Sequence, residues 1–367
     1  MRRTTGKVAM ATLINTRGTT PRKEGAKMLV DERGGILGSV TIGGCVDAQV
    51  IEQSSDVLAT MRPRLLELNL GDEEAWEIGL TCGGTIEVFL EPVALDRADD
   101  QAANLLDRVR AHAARGGHAA IVTRLENARA NDRTDRAPQV PTEPRNASGR
   151  KLLVLDDGTT DGTLGEAFLD ARFVAEARDA IARGTSRTVV LDTVRAFIEV
   201  MAPPALLLVV GASHVAMPLT SLARTLGYRT VVVDGRPNFA TPGRFPDVDE
   251  LRIGIPSEIV GEYPFVPSTA LVLVAHDYKY DLPVLRHALA TNVGYVGMLG
   301  SARRGATILR LLAEDGVSAE ALARVRVPIG LDIGARSAPE IALAILAEIQ
   351  AVRGGGTGVP MREKKRG

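Results

Sequence analysis

The sequence predicts an α/β protein with an N-terminal mixed α+β domain and a C-terminal Rossmann-like domain built on a doubly wound parallel sheet. The chain has 367 residues, more than one domain usually contains. Short strands with glycine turns fill its first half, whereas near-continuous apolar strands alternate with helical segments in its second half. The first of these apolar strands leads into VVGASHVA, a loop placed where dinucleotide-binding folds hold their phosphates.

The N-terminal domain is expected to span residues 1–202. KVAMATLI is predicted as a strand, KMLVDERGGILGSV as a hairpin, and TIEVFLEP, HAAIVTRL and KLLVLDD as further strands. Helices are predicted from about residue 98 to 115 and after Cys45, where the apolar residues on or near one face are Val46, Val50, Val57 and Met61. Residues 126–150 contain three prolines and few large apolar side chains, which indicates a flexible insertion. We recognise no internal repeat in the sequence.

The C-terminal domain is expected to span residues 203–352, with 353–367 as a flexible basic tail. ALLLVV, YRTVVVD, ALVLVAH, YVGML and VRVPIG are predicted as its strands. The last helix has a capping-box pattern at its start, formed by Ser337 and Glu340.

The glycine loop only partly fits a dinucleotide fingerprint. Gly211 suits the tight turn, and Ala216 suits close packing of helix on sheet. Ser213 stands where a glycine normally lets the pyrophosphate approach, which predicts altered or weakened phosphate binding. Asp234 ends the second strand, where a ribose-binding acid would lie. His214 is predicted either to point into the crevice or to cap the turn.

Polar residues follow three other strands of this domain, at the sheet edge where open α/β sheets bind ligands. They predict a ligand crevice, and the glycine–serine turn with two arginines suits an anion. These residues are His276 and Asp277, then Gly300, Ser301, Arg303 and Arg304, and finally Asp332.

The two cysteines both lie beside paired glycines. Gly43 and Gly44 precede Cys45, and Gly83 and Gly84 follow Cys82. Paired glycines allow a sharp turn or the close approach of a ligand, whereas a buried structural thiol needs neither. Instead of contacting a ligand, the cysteines could be two small core residues, or they could form a regulatory disulfide if the thiols meet. Cys45 and Cys82 lack the closely paired ligand spacing that is usual in structural zinc sites.

Composition narrows the functional classes. The formal net charge of −1 gives no electrostatic reason to expect binding to nucleic acid or to an anionic membrane. No segment reaches membrane-spanning length, and two cysteines do not form a disulfide framework, so we expect a cytoplasmic protein. Arg22, Lys23 and Lys27 are expected to form an anion-attracting edge near the first glycine pair.

The sequence resembles the XdhC/CoxI family, whose members are accessory proteins of xanthine dehydrogenase, carbon monoxide dehydrogenase and related molybdenum hydroxylases. The resemblance covers most of the chain outside residues 95–150 and the tail. It depends on GTTPRKEGAKMLV, GSVTIGGCVDAQV, GLTCGGTIEVFLEP, VVGASHVA, DGRPNFATPGRFP, AHDYKYD, GMLGSARR and PIGLDIGARSAPEIALAILAEI, in that order. The family typically has GAGHVA in the glycine loop, so Ser213 departs from the family as well.

The resemblance implies a maturation factor and chaperone that binds the molybdenum–pterin cofactor or its dinucleotide form. It further implies help with sulfuration by a cysteine desulfurase, delivery to the apo-hydroxylase, and a homodimer. Cys45 and Cys82 would be molybdenum ligands or sulfur carriers, because thiolates suit soft metals and can carry sulfur as persulfides. The two cysteines would then approach one another in the fold. Three alternatives remain open. The first is an oxidoreductase that binds NAD(P) in its Rossmann domain, and the second is an interaction protein with structural cysteines and a Rossmann domain that serves dimerisation. The third is a nucleotide-hydrolysing activity, although the sequence has no GxxxxGK(S/T) loop to support it.

Overall fold

The computed structural model describes residues 6–18, 23–41, 45–69, 84–95, 100–125, 148–275 and 278–363. The chain divides into two compact units, Met1–Pro203 and Pro204–Gly367. Antiparallel sheets with helices form the first unit, and a parallel sheet of Rossmann type forms the second, so the predicted fold class is confirmed. Within the described residues, no helix combines the length and the apolar character needed to cross a membrane.

In its described residues, the first half of unit 1 forms a five-stranded antiparallel sheet with one helix. Its elements are β1 (Lys7–Gly18), β2 (Lys27–Asp31), β3 (Ile36–Gly38), α1 (Cys45–Thr60), β4 (Arg64–Asn69) and β5 (Gly84–Ala94), and its strand order is β3-β2-β1-β5-β4. The predicted apolar face of α1 buries Val46, Val50 and Val57 against this sheet. Met61 lies beyond the end of the helix and is 39% exposed, so its assignment to that face was wrong.

The second half of unit 1 follows a connecting helix, α2 (Gln101–Ala114). It forms another five-stranded antiparallel sheet, of order β8-β7-β6-β10-β9. Its elements are β6 (Ala119–Arg124), β7 (Lys151–Leu155), β8 (Thr160–Gly162), α3 (Ala167–Arg183), β9 (Arg187–Leu191) and β10 (Val194–Met201).

Unit 1 is therefore an internal repeat, and the expectation of no repeat was wrong. Each half runs through three strands, one helix and two strands, and each sheet orders them as third, second, first, fifth, fourth. The registers also correspond: Thr12 pairs with Lys27 at the start of β2, and Thr123 pairs with Lys151 at the start of β7. We call residues 7–94 the first repeat and residues 119–201 the second repeat.

The repeated helices bury side chains at the same spacing. In α1 the buried positions are Val46, Val50, Ser54 and Val57, and in α3 they are Leu169, Phe173, Ala177 and Ala180. Both sets follow i, i+4, i+8 and i+11, the pattern of a helix with one apolar face on a sheet. The first residue of α1, Cys45, thereby corresponds to Phe168 in the second repeat.

The two sheets of unit 1 face one another between α1 and α3, and α2 packs against the inner faces of both sheets. Alternate residues of each strand point to opposite faces. In β1, Ala9, Ala11 and Leu13 pack under α1, whereas Ile14 belongs to the apolar cluster between the sheets. The other members of that cluster are Phe89, Leu125 and Phe197.

Two ion pairs join the sheets at equivalent places. Lys27 Nζ lies 2.9 Å from a carboxylate oxygen of Glu199, and Lys151 Nζ lies 2.9 Å from one of Glu91. Each lysine also donates to the threonine beside it in its own sheet, at 3.0 Å in the first repeat and 2.9 Å in the second. The interface between the sheets is thus built twice, in the manner of a two-fold symmetric dimer.

Unit 2 contains a six-stranded parallel sheet of order β13-β12-β11-β14-β15-β16. The strands are β11 (Leu206–Val210), β12 (Arg229–Asp234), β13 (Glu250–Ile253), β14 (Ala270–Leu273), β15 (Tyr295–Met298) and β16 (Val325–Arg326). The helices are α4 (Ala216–Thr225), α5 (Pro256–Ile259), α6 (Tyr278–Leu289), α7 (Ala302–Glu314), α8 (Ala319–Ala323) and α9 (Ala338–Gly354), with 3₁₀ turns at Val260–Glu262 and Met361–Glu363.

The sheet of unit 2 is covered on both faces. Leu206, Leu208 and Val210 of β11 belong to the core under α6 and α7, whereas Leu207 and Val209 belong to the core under α4 and α9. This is why the strands are near-continuous apolar runs in the sequence. The predicted capping box of α9 is present.

Candidate functional site

The first glycine–cysteine segment leads into α1 at one end of the first repeat's sheet. Since neighbouring strands are antiparallel, the end of β3, the start of α1, the end of β4 and the start of β5 all lie at this end. Gly84 begins β5 there, opposite the end of β1 at Gly18. Gly43, Gly44, Cys82 and Gly83 lie outside the described residues, and of Cys45 only the backbone is described.

Both cysteine segments coincide with differences between the repeats. β4 and β5 are joined through residues 70–83, whereas the equivalent strands β9 and β10 are joined by the two residues Asp192 and Thr193. The connection from β3 to α1 is also longer than that from β8 to α3. Gly43 and Gly44 thus stand at the end of one of these longer connections, directly before Cys45, and Cys82 and Gly83 stand at the end of the other.

The second repeat shows how close the two connections come when both are short. Arg172, one turn into α3, donates a hydrogen bond to Asp192 in the β9–β10 turn. The guanidinium of Arg172 also lies 5.5 Å from the ring centroid of Phe168. The start of the helix and the turn between the last two strands thus lie within side-chain reach of one another in this fold.

Polar side chains fix the approach to α1. Asp47, in the first turn, accepts hydrogen bonds from Ser39 at 2.5 Å and from Thr41 at 3.4 Å. A carboxylate in the first turn of a helix is favoured by the exposed N–H groups there. These bonds hold the described part of the β3–α1 connection against the helix start.

The expected anion-attracting edge changes in the structure. Lys27 is bound to Glu199 and Thr12 between the sheets, so its charge is already paired. Lys23 is exposed, and Arg22 lies outside the described residues. Lys27 therefore serves the interface between the repeats and not an anion site, because the Glu199 carboxylate already compensates its charge.

A cleft of about 410 Å³ opens at the carboxyl ends of β11, β12 and β14. This is where the strand order reverses, the usual ligand position in a doubly wound sheet. Its polar and aromatic lining comprises Ser213, His214, Asp234, Arg236, Phe239, Arg244 and Tyr280, with Gly211 at its base.

The glycine loop forms one wall of this cleft. Gly211 has φ +107° and a β-carbon there would clash with Ala275, so this position requires glycine. Ser213 is partly buried, and its hydroxyl lies 3.4 Å from the N–H of Ala216 at the start of α4. A bound phosphate would use the same N–H, so Ser213 competes with it. His214 is exposed and lines the cleft.

Asp234 is buried, and donors of this chain surround it. One carboxylate oxygen accepts from the N–H and Nε of Arg236, at 2.8 and 2.9 Å. The other accepts from the N–H of Ala212 at 2.7 Å and from Arg236 Nη2 at 2.9 Å. Burial raises the pKa of Asp234, but the hydrogen bonds from Arg236 and Ala212 outweigh it and leave the pKa below its ordinary value.

Arg236 and Arg244 are the residues that the sequence reasoning missed. The guanidinium of Arg236 lies 4.1 Å from the ring centroid of Phe239, and that of Arg244 lies 5.6 Å from it. Arg244 also donates to the carbonyls of Ala212 at 3.0 Å and Phe239 at 2.6 Å. The segment DGRPNFATPGRFP, which follows the ribose-binding position, carried this signal.

Four of the other predicted residues, Gly300, Ser301, Arg303 and Asp332, do not line this cleft. Gly300, Ser301 and Arg303 follow β15, and Asp332 follows β16, both beyond β14 in the sheet. Ser301 caps α7 by accepting from the N–H of Arg304, and Asp332 accepts from the N–H of Gly334. His276 and Asp277 lie outside the described residues.

The second arginine of GMLGSARR is a structural residue. Arg304 donates to Asp281 of α6 at 2.6 Å, and the Asp281 side chain is fully buried. This pair ties α6 to α7 below the ends of β14 and β15. Within the described part of the chain, no cluster of three or more His, Cys, Asp or Glu side chains could hold a metal ion.

Comparison with known families matches both units. Residues 1–69 and 142–192 match the XdhC and CoxI family, and residues 207–349 match the XdhC Rossmann domain. The chain belongs to the XdhC and CoxI family. The ranges 1–69 and 142–192 fall in the first and the second repeat, which agrees with the duplication in the fold.

Curated relatives extend over nearly the whole chain. A probable xanthine dehydrogenase subunit from Bacillus subtilis is 26% identical over 94% of this chain and 92% of its own length. The molybdenum cofactor insertion chaperone PaoD of Escherichia coli is 28% identical over 94% of this chain and 83% of its own. A crystal structure described as a xanthine dehydrogenase from Bacillus halodurans has a TM-score of 0.75 and 25% identity, covering 99% of this chain and 96% of that one.

Proposed function

We propose that this chain is a maturation factor for a molybdenum hydroxylase, which binds the molybdenum–pterin cofactor and assists its sulfuration and insertion. The observation that carries the proposal is membership of the XdhC and CoxI family along both units. Similarity to a molybdenum cofactor insertion chaperone over 94% of the chain supports the insertion role. Similarity to a probable subunit of xanthine dehydrogenase supports a hydroxylase as the client.

The proposed cofactor site lies at the end of the first repeat's sheet where α1 begins and β5 starts. Cys45 and Cys82 supply its thiolates, and Gly43, Gly44, Gly83 and Gly84 leave room for the bulky group. The sheet topology supports this, because the described ends of both connections lie at that end. The contact between Arg172 and Asp192 supports it further, because the same two places meet in the second repeat.

The chain's thiols suit either of two tasks. The cofactor, when bound, supplies a molybdenum centre with a sulfur ligand, and thiolates bind such soft metals. A thiolate can also carry sulfur as a persulfide after receiving it from a cysteine desulfurase. A thiol at the start of a helix is held more readily as the thiolate, because the exposed N–H groups favour negative charge. We propose an apo-hydroxylase and a desulfurase as partners, and a homodimer as the working assembly.

Cofactor retention tests this proposal directly. Wild-type protein, Cys45→Ser and Cys82→Ser are mixed anaerobically with free molybdenum–pterin cofactor and desalted, and molybdenum and pterin are measured in the protein fraction. We expect wild type to retain both and each serine variant to lose them while remaining folded by circular dichroism. Phe168→Ser, at the position equivalent to Cys45 in the second repeat, is the matched control and should retain cofactor. Equal retention by all four proteins would make the cysteines structural, and no retention by wild type would reject the carrier role.

The alternative of an NAD(P)-dependent oxidoreductase has less support. Asp234 is bound to Arg236, and Ser213 competes for an N–H that a pyrophosphate would use. The first arrangement weakens the bond between the acid and a ribose hydroxyl, and the second weakens the contact between the pyrophosphate and the start of the helix; ordinary NAD binding depends on both. A fluorescence titration with NADH checks this, since tight binding would favour the oxidoreductase.

A further inference from the structure

The cleft of unit 2 has a charged lining that does not involve the cysteines. Its charged lining residues are Asp234, Arg236 and Arg244, so the lining carries two cations and one carboxylate. Asp234 is 4% exposed, whereas the Arg236 side chain is 55% exposed. The buried acid therefore lies behind the arginine, and a ligand entering the cleft meets positive charge first.

The hydrogen bonds of Asp234 determine which ligand fits. An ionised carboxylate has about four acceptor positions, and Asp234 accepts four hydrogen bonds from Ala212 and Arg236. A ribose hydroxyl that donates to this acid would have to displace one of them. Two of the four come from a guanidinium in a side-on, two-point arrangement, which is the strongest pairing available to a carboxylate.

Arg236 and Arg244 are held in place before a ligand arrives. Arg236 is fixed by Asp234 along one edge and by the Phe239 ring against its face. Arg244 is fixed by the carbonyls of Ala212 and Phe239. Guanidinium groups that are already ordered bind phosphate oxygens with little further loss of side-chain freedom.

We propose that this cleft selects a nucleotide whose ribose carries a phosphate monoester, and that it discriminates against the same nucleotide with a free hydroxyl there. Arg236 would keep its bonds to Asp234 and, with Arg244, face the added phosphate. In Rossmann folds that bind NADP, an arginine near the end of the second strand contacts the ribose 2′-phosphate. In those that bind NAD, an acid at this place accepts a hydrogen bond from the 2′-hydroxyl. This cleft holds both residues, and their mutual pairing occupies the acid and positions the guanidinium in the cleft lining, where the phosphate would lie.

Calorimetric titration of the full chain with adenosine 2′,5′-bisphosphate and with 5′-AMP, at fixed ionic strength, tests the proposal. We expect the bisphosphate to bind at least about tenfold more tightly, the effect of one charge-assisted two-point contact. NADP⁺ should likewise bind more tightly than NAD⁺. Equal affinities, tighter binding of 5′-AMP, or no binding of either compound at millimolar concentration would overturn the proposal.

Arg236→Gln provides a second readout that a purely structural residue would not give. It removes the phosphate contact and releases Asp234, so bisphosphate binding should weaken about tenfold while 5′-AMP binding strengthens. Arg236→Lys retains the charge without the two-point pairing and should give an intermediate preference. Arg310→Gln removes an exposed arginine paired only on the surface of α7 and should change neither affinity. An unchanged preference in folded Arg236→Gln and Arg236→Lys would reject the role of Arg236.

Discussion

The two ion pairs between the repeats allow a quantitative test of how burial sets the strength of an interaction. The side chains of Lys151 and Glu91 are 6% and 7% exposed, whereas those of Lys27 and Glu199 are 26% and 13% exposed. The pairs have the same length and the same threonine neighbour in their own sheet. Burial is therefore the main difference between two otherwise matched interactions.

Removing one partner of a buried pair leaves an uncompensated charge away from water. Lys151→Ala should lower the free energy of unfolding of unit 1 by about 3–5 kcal/mol. Lys27→Ala should cost about 1–3 kcal/mol, because water can reach the carboxylate that remains. The double variant Lys151→Met with Glu91→Met removes both charges and should lie within about 1–2 kcal/mol of wild type.

Hydrogen exchange in increasing urea, read from peptides that cover β5 and β7, measures these differences within unit 1 and separates them from unfolding of unit 2. Each variant is compared with wild type at the same pH, so that the change in exchange free energy reports the substitution. Equal costs for Lys151→Ala and Lys27→Ala would refute the burial argument. A double methionine variant as unstable as Lys151→Ala would show that lost packing, and not stranded charge, causes the effect.

Three further predictions follow from unit 1. Burial raises the pKa of Glu87, but hydrogen bonds from Arg195 and from Asn15 outweigh this effect, so the pKa in the folded protein lies below its ordinary value. The Glu87 carboxylate therefore stabilises the fold at pH values above its unfolded pKa, and this stabilisation is lost as the pH falls through the folded pKa. The stability difference between wild type and Glu87→Gln should accordingly be largest near pH 7 and shrink in acid, as measured by urea unfolding across pH. Gly38→Ala and Gly162→Ala should each lower the free energy of unfolding, measured by thermal unfolding, by a similar amount of at least about 1–2 kcal/mol. Both glycines have positive φ, and a β-carbon at either would clash with a backbone carbonyl of the neighbouring strand. A large difference between the two variants would contradict the equivalence of these positions. Replacing residues 70–83 with a two-residue turn, as the second repeat has, should leave unit 1 folded but abolish cofactor retention, and retained cofactor would place the site elsewhere.

The parts of the fold that depend on local patterns were predictable from the sequence. The apolar runs gave the parallel strands of unit 2, and the spacing of Val46, Val50 and Val57 gave the face of α1. Gly211 and Asp234 were assigned correctly to the loop and to the end of the second strand of the Rossmann fold. What the sequence did not reveal is that Arg236 binds Asp234, because this depends on a backbone turn that brings the side chain back onto the acid.

The repeat was missed for a different physical reason. Equivalent positions need only an apolar residue of suitable size on one face of a helix or strand, so Val50 and Phe173 can serve the same role without identity. The positions that do keep identity have specific demands: a positive φ at Gly38 and Gly162, and a cation at the interface for Lys27 and Lys151. Such residues are too few and too far apart to reveal a repeat by inspection.

The proposed cofactor site lies where the two repeats differ. The elements that stabilise unit 1 occur in both halves: the strand order, the helix face, and a lysine–glutamate pair across the interface. The connections differ: Cys45 begins the helix after one connection that is longer in the first repeat, and Cys82 lies in the other. Long connections cost little stability when the strands beside them are already paired, so such segments can change without loss of the fold. A duplicated frame that is stabilised by the same contacts in both halves can therefore carry the proposed thiol site at one end of the first repeat, while the equivalent end of the second repeat has a short turn in which Asp192 accepts a hydrogen bond from Arg172.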